Sequence, residues 1–205
     1  LTLYNSFNSW GWLDQSKKTS KMEIISGDIR DESLAFNITK NCDCIINLAA
    51  LIAIPYSYEA PGSYIDTNVK GTLNMLNASI RNKIKLFIQT STSEVYGTAQ
   101  EIPISENHPL NPQSPYAASK VASDNLALSY YYSFNLPVVI ARPFNTFGPR
   151  QSLRAIIPNL ITQLVSKKKD VHVGNLDTTR DFNYVGDTTN AFISIINNYQ
   201  KCIGE

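Results

Sequence analysis

The sequence predicts an α/β fold, a doubly wound parallel sheet that is incomplete at its start and is followed by part of a smaller region. Apolar runs of strand length recur along the 205 residues, with helical stretches between them. Those runs alternate little between apolar and polar positions, as strands covered on both faces do. With 43% hydrophobic and 10% aromatic residues, the chain can bury one substantial core.

Taken in order, "LTLY" (1–4) reads as a strand already in progress, and Leu1 is not an initiator methionine. Strands are predicted at "MEIIS" (22–26), "CIINLA" (44–49), "KLFIQTS" (85–91) and "LPVVIAR" (136–142). Helices are predicted over 61–82 and 115–134. The second begins sharply: Ser114 is a good N-cap, and Pro115 suits a first helical position whose N–H has no intrahelical partner. After "RPFNTFGPRQ" (142–151) come a helix near 155–167, short segments around 171–174 and 181–185, and a helix from about 187. No Gly-x-x-Gly-x-x-Gly turn joins a strand to a helix, so the usual phosphate-cradling loop is absent from these residues. If "LTLY" is a second strand, the first βα unit is missing, and a fragment of a longer protein is expected.

Composition excludes several function classes. Eighteen basic and 17 acidic residues leave a net charge of +1. No basic stripe is present beyond Lys167-Lys168-Lys169, read as a solvated helix end, so nucleic acid is not an expected partner. Cys42, Cys44 and Cys202 make an odd count that argues against a disulfide framework. The two histidines, His108 and His172, lack metal-ligand spacing, and no metal is expected. No run is long and apolar enough to span a bilayer, and no signal peptide is seen, so a soluble cytoplasmic protein is expected. Trp10 and Trp12 are read mainly as core residues, with a cover over an adenosine as the alternative.

Chemistry concentrates at two places. The strand at 85–91 runs into Thr90-Ser91-Thr92-Ser93-Glu94, and ligands in open α/β sheets sit at the carboxyl ends of strands. The helix from Ser114 opens with Tyr116 and Lys120, four positions apart and so on one face. An ammonium close to the phenol would pull its pKa of about 10 toward neutrality and make it a base for an alcohol. Each feature alone has a plain structural reading, turn capping for the hydroxyls and an amphipathic first turn for the tyrosine.

In combination they resemble the extended short-chain dehydrogenase/reductase family, specifically its nucleotide-sugar-modifying members, whose fold is Rossmann-like. "GDIRD" (27–31) resembles the strand end that meets the adenine, which implies cofactor roles for Asp28 and Ile29. "NLAA" (47–50) is similar to a His-x-Ala-Ala segment beside the cofactor, with Asn47 replacing the histidine and Ala49 and Ala50 matching. "DTNVKGT" (66–72) matches a segment whose asparagine, here Asn68, supports the active-site strand. "RPFNTFGPRQ" and "TTRDFNYVGD" (178–187) resemble substrate loops, which implies that Asn145, Arg150 and Arg180 contact the nucleotide diphosphate or base. Thr92, Ser93, Glu94, Tyr116 and Lys120 are then the implied catalytic set, with Tyr116 and Lys120 also meeting the cofactor. Residues 1–150 correspond to a partial dinucleotide-binding domain, and 151–205 to the start of an interleaved substrate-binding region.

Glu94 separates the family's reactions. A carboxylate there resembles the 4,6-dehydratases, in which it would remove the C5 proton once C4 is a ketone, whereas simple 4-epimerases lack it. Thr92-Ser93-Glu94 is similar to the GDP-mannose dehydratase pattern and differs from the dTDP-glucose enzymes, which carry aspartate where Ser93 stands. UDP-glucuronate decarboxylases share the same three residues. "YNSFNSWGWLD" (4–14) and "AALIAIPYSYEAPGSYIDTNVKGT" (49–72) resemble dehydratases of legionaminic-acid-type pathways, which act on nucleotide-linked N-acetylglucosamine. The resemblance implies NAD as cofactor. Leu3-Tyr4-Asn5-Ser6 offers neither the carboxylate of an NAD site nor an arginine for NADP, so NADP stays open. A homodimer through helices 61–82 and 115–134 is implied, with "LALSYYYSF" (126–134) suited to the interface or to an ordinary core face. From a different class, the missing glycine loop leaves open a cofactor-less remnant or binding module.

Overall fold

The computed structural model describes residues 1–7, 9–15, 22–166, 170–175 and 177–204. Its centre is a parallel three-stranded ladder ordered β3 (Cys44–Asn47), β4 (Leu86–Thr90), β5 (Val138–Ala141). Register sets Ile46 opposite Ile88 and Ile88 opposite Val139. Crossovers between these strands carry α4 (Gly71–Arg81) and α5 (Pro115–Phe134). As expected for strands covered on both faces, Leu86 to Gln89 are all buried. Phe87 and Val138 enter one core with Ile45, Leu76, Ala127 and Leu136. Leu86, Ile88, Val139 and Ala141 enter a second, covered by Phe192 and Ile195 of α7 (Val185–Asn198). Complete burial of a side chain the size of Phe87 or Leu76 contributes about 1.5–3 kcal/mol.

The predicted strands are shorter than expected. "MEIIS" contributes only Ser26 to β2 (Ser26–Gly27), which pairs in parallel with β1 (Thr2–Leu3). Among the described residues, neither of these strands is hydrogen-bonded to the β3–β4–β5 ladder. With a partner of two residues, residues 22–25 have little ladder to join, and only the Ile25 carbonyl is used, accepting from the Thr2 N–H. The small region beyond β5 pairs β6 (Asn145–Phe147) with β7 (Phe182–Tyr184) and carries α6 (Ile156–Val165). No strand forms over 171–174. Lys167-Lys168-Lys169 lies outside the described residues.

The helix predicted over 61–82 is a composite. After α1 (Glu32–Ile38), capped by the Asp31 carboxylate on the Leu34 N–H, and the unforeseen α2 (Ile54–Glu59), a short α3 (Pro61–Tyr64) leads into a π-helical turn, Ile65–Lys70, and then α4. Such widened turns often occur at functional sites. This one carries Asn68.

A further expectation is corrected. Trp10 and Trp12 are exposed, 46% and 56%, and are not core residues; the Trp12 ring instead has the Arg150 guanidinium 5.5 Å from its centroid. In α5, Leu126, Ala127, Tyr130 and Tyr131 pack on the main core, while Tyr132 and Phe134 remain exposed. The aromatic run thus serves a core face and an open one, because successive residues on a helix point about 100° apart.

Candidate active site

The end of β4 is joined to α5 residue by residue. Tyr116, Lys120 and Asp124 stand one turn apart on α5 and are all buried, 7%, 4% and 1% exposed. Opposite them, Thr90, Ser91 and Thr92 leave the strand. The Lys120 ammonium donates to the Thr90 carbonyl, the Ser91 hydroxyl donates to Asp124 Oδ2 at 2.6 Å, and the Thr92 hydroxyl stands near enough to the Tyr116 phenol to favour its charged form. Ser114 holds the start of the helix by accepting from the Ala117 N–H at 3.0 Å.

Beyond Thr92 the chain forms a 3-10 turn, Ser93–Tyr96, in which the Glu94 N–H donates to the Thr92 hydroxyl at 3.3 Å. The turn closes on Gly97 at φ +65°, where a Cβ would lie 2.2 Å from the Asn111 carbonyl oxygen. Glycine is required there on both counts. This geometry keeps Ser93 and Glu94 half-buried at the mouth of the strand, with the Glu94 charge acting on Tyr116.

The electrostatics differ from the sequence expectation. Burial raises the Tyr116 phenol above its usual range; the Thr92 hydroxyl opposes this, and the charges of Glu94 and Asp124 add to it. Lys120 does not draw the phenol toward neutrality, because its ammonium is directed to the Thr90 carbonyl. Burial pushes Lys120 down, offset by the negative charge of Asp124. Burial likewise pushes Asp124 up, opposed by Ser91, Arg142 and Lys120.

Other implied site residues are placed as follows. Asn68 donates to the Leu51 carbonyl at 3.0 Å and to Ser119 Oγ at 2.9 Å, and accepts from the Leu51 N–H at 2.8 Å. It therefore ties the loop after β3 to α5, and its side-chain hydrogen bonds go to these two elements. Asn47 is buried, donating to Gln89 Oε1 at 2.9 Å and Thr72 Oγ1 at 3.2 Å, while Ala49 is exposed and Ala50 half-buried in the loop that follows. The Asp28 carboxylate is held by Arg30, Nη2 at 2.6 Å and Nε at 3.0 Å, which lowers its pKa. Ile29 points into the core, where its Cδ1 would lie 2.4 Å from a Cβ at Gly71; its side chain is thus not presented to a ligand. Asn145 is half-buried on β6, while Arg150 and Arg180 are exposed, Arg180 Nη1 donating to the Thr179 carbonyl at 2.7 Å.

Sequence reasoning missed the polar group behind the pair. Asp124 also accepts from Arg142 Nε at 3.4 Å, and Arg142 Nη1 donates to the Tyr96 hydroxyl at 3.2 Å. The available signal was the second four-residue step, 116 to 120 to 124. Tyr64 was missed too: fully buried, it donates to the Ala53 carbonyl at 2.6 Å and packs edge-on against Tyr116 at 6.3 Å between centroids. A cavity of about 930 Å³ lies between β5 and α7 and shares Tyr96 and Arg142 with the cluster. Among the described residues no group of histidine, cysteine and carboxylate side chains could hold a metal ion, and no helix is long and apolar enough to cross a membrane.

Comparison with known proteins gives a consistent picture. Residues 3–203 match the family described as GDP-mannose 4,6 dehydratase. A dTDP-glucose 4,6-dehydratase from Actinoplanes sp. is 35% identical over 175 residues, covering 85% of this chain and 55% of that protein. The chain thus spans about half the length of the curated relatives it matches. Among solved structures, DesIV, a dTDP-glucose 4,6-dehydratase from Streptomyces venezuelae determined with NAD bound, superposes with a TM-score of 0.83 at 29% identity, covering 90% of this chain and 57% of that one. A UDP-N-acetylglucosamine 4-epimerase from Methanobrevibacter ruminantium M1 gives the same TM-score at 33% identity, covering 91% and 62%. The parallel α/β arrangement is accordingly Rossmann-like.

Proposed function

We propose that this chain, which belongs to the GDP-mannose 4,6-dehydratase family, carries the chemistry of a nucleotide-sugar 4,6-dehydratase. The observation that carries the reading is the Tyr116 phenol under the combined influence of the Thr92 hydroxyl and the Glu94 carboxylate, at the carboxyl end of β4. The donors present fit the nicotinamide end of NAD: Tyr116 and Lys120 stand at that strand end, and Thr90 Oγ1 beside Lys120 is buried without a partner. Tyr116 and Lys120 would hold the nicotinamide ribose, with Asp28 and the 47–50 segment toward the adenosine. NAD, when bound, supplies the hydride acceptor for C4 and the hydride donor for C6.

Thr92 orients the C4 hydroxyl, and Tyr116, acting in its ionised form, takes its proton. A ketone at C4 makes the C5 proton acidic; Glu94 removes it and, now a carboxylic acid, protonates the C6 hydroxyl, which leaves as water past Ser93. Asn145, Arg150 and Arg180 bind the nucleotide, the arginines offering planar forks to phosphate. The "YNSFNSWGWLD" and 49–72 segments support nucleotide-linked N-acetylglucosamine, or a related hexose, as substrate. A homodimer through α4 and α5 and a cytoplasmic location complete the proposal. The 4-epimerase neighbour favours a second reading, in which C4 is oxidised and reduced without elimination.

Turnover in deuterium oxide tests both. A dehydratase places deuterium at C5 of a 6-deoxy-4-keto sugar, and Glu94→Gln abolishes that product while C4 oxidation survives. A 4-epimer retaining its C6 hydroxyl, or carbon dioxide from a uronic acid, overturns the dehydratase reading.

A further inference from the structure

The buried carboxylate of Asp124 has no place in the chemistry above, yet it lies one turn below Lys120 and two below Tyr116. Three adjacent strand residues meet these three helix residues, and the middle contact, Ser91 to Asp124 at 2.6 Å, is the only one made to a carboxylate. Asp124 Oδ1 is buried without a hydrogen-bond partner, so the group is retained at a cost in desolvation. A neutral side chain would satisfy Ser91 more cheaply. The charge itself therefore needs a counterpart, and the cations near it are Arg142 at the end of β5, which forms an ion pair with it, and Lys120 one turn back on its own helix, which feels its charge without an ion pair. Arg142 reaches it at only 3.4 Å and is shared with the Tyr96 hydroxyl and ring. The remaining titratable groups around it are the Tyr116 and Tyr96 phenols.

We propose that Asp124 is a positioning residue, which locks the end of β4 onto α5 through Ser91 and is the counter-charge that keeps the buried Lys120 ammonium protonated at the Thr90 carbonyl. The lysine is placed so that Thr92 and Tyr116, at the next strand residue and the previous helical turn, come together. Removing the carboxylate leaves the buried Lys120 with only a neutral carbonyl as its hydrogen-bond partner, and a buried amine in that situation loses its proton. This rests on the reading of Tyr116 and Lys120 as the acting pair, but its test does not depend on turnover.

The test is nuclear magnetic resonance of the folded protein labelled with 13C at lysine Cε, with the Lys120 signal assigned by its loss in Lys120→Met. In Asp124→Asn the proton affinity of Lys120 should fall at least tenfold, the size of effect an opposite charge at this range exerts. Ser91→Ala keeps the carboxylate and removes only the tie, and should leave the lysine titration within about threefold while lowering the thermal midpoint. An unchanged Lys120 titration in folded Asp124→Asn overturns the proposal and leaves Asp124 a structural residue. Should Asp124→Asn fail to fold, the reciprocal measurement decides: in Lys120→Met the Asp124 carboxyl, read by its 13Cγ shift, should bind its proton at least tenfold more tightly, and an unchanged value overturns the proposal equally. Loss of the dehydratase reading by the deuterium experiment would leave these titrations standing.

Discussion

Tyr116 shows how burial and bonding compete at one atom. The phenol is enclosed, so its charged form is disfavoured, and only the Thr92 hydroxyl works in the other direction. The ring is fixed independently of the hydroxyl, edge-on to Tyr64. Tyr116→Phe should therefore keep the packing and nucleotide-sugar affinity, measured by calorimetry, while turnover falls about 10²–10⁴-fold. Near-normal turnover would remove the phenol from the chemistry. Asp28 gives a second residue-scale prediction. Arg30 lowers its folded pKa below 3.8, so the carboxylate contributes stability that is complete above that value and is lost as pH falls through the folded pKa. Between pH 4 and 2, Asp28→Asn should flatten the fall of the thermal midpoint; a parallel curve would show the pair to be inert.

At the scale of elements, the site depends on how β4 ends. A strand continued straight past Thr92 would carry Glu94 away from α5; the 3-10 turn over Ser93–Tyr96 folds it back, and Gly97 lets the turn close beneath the Asn111 carbonyl. The Asn111 N–H in turn donates to the Val95 carbonyl at 2.9 Å. Gly97→Ala adds a Cβ at positive φ and at a distance no Cβ tolerates, so it should destabilise by more than about 1 kcal/mol in urea titration. It should also lower turnover more than nucleotide binding, since Glu94 moves with the turn. A neutral substitution would mean that the turn can re-form elsewhere. The π-helical turn that carries Asn68 works in the same way on the other side of α5: its side chain holds the 51 loop and Ser119 together, and the Asn68 carbonyl accepts from Ser123 Oγ at 2.7 Å.

For the whole molecule, the two faces of β4 and β5 bind different partners. One face packs on α4 and α5, which carry or support the candidate site, and the other on α7, which follows the loops after β5 in sequence. A ligand bridging Tyr116 and the loops after β5 would therefore engage both layers, and binding should stabilise the molecule as one unit. NAD at one hundred times its Kd should raise the stability of the chain by about 2.7 kcal/mol, seen as a rise in the thermal midpoint. No shift at that concentration, with binding absent by calorimetry, would favour the cofactor-less remnant.

The sequence by itself determined the class of fold and the placement of Tyr116 and Lys120 on one face of a helix. Unalternated apolar runs at "KLFIQTS" and "LPVVIAR" can only be strands covered on two faces, and Ser114-Pro115 fixes where α5 starts, which puts Tyr116 and Lys120 on one face by helical period alone. These are local properties, set by spacing and caps. What the tertiary structure decided depends on neighbours distant in sequence. Whether Lys120 turns to the phenol or to the Thr90 carbonyl, whether Trp12 meets a core or Arg150, and whether Ile29 faces a ligand or Gly71 were settled by which element came within a few ångströms. So was the role of Asp124, whose spacing was visible in the sequence but whose burial was not: a carboxylate on a helix surface is ordinary, and only the approach of β4 and β5 makes it a charge that must be answered.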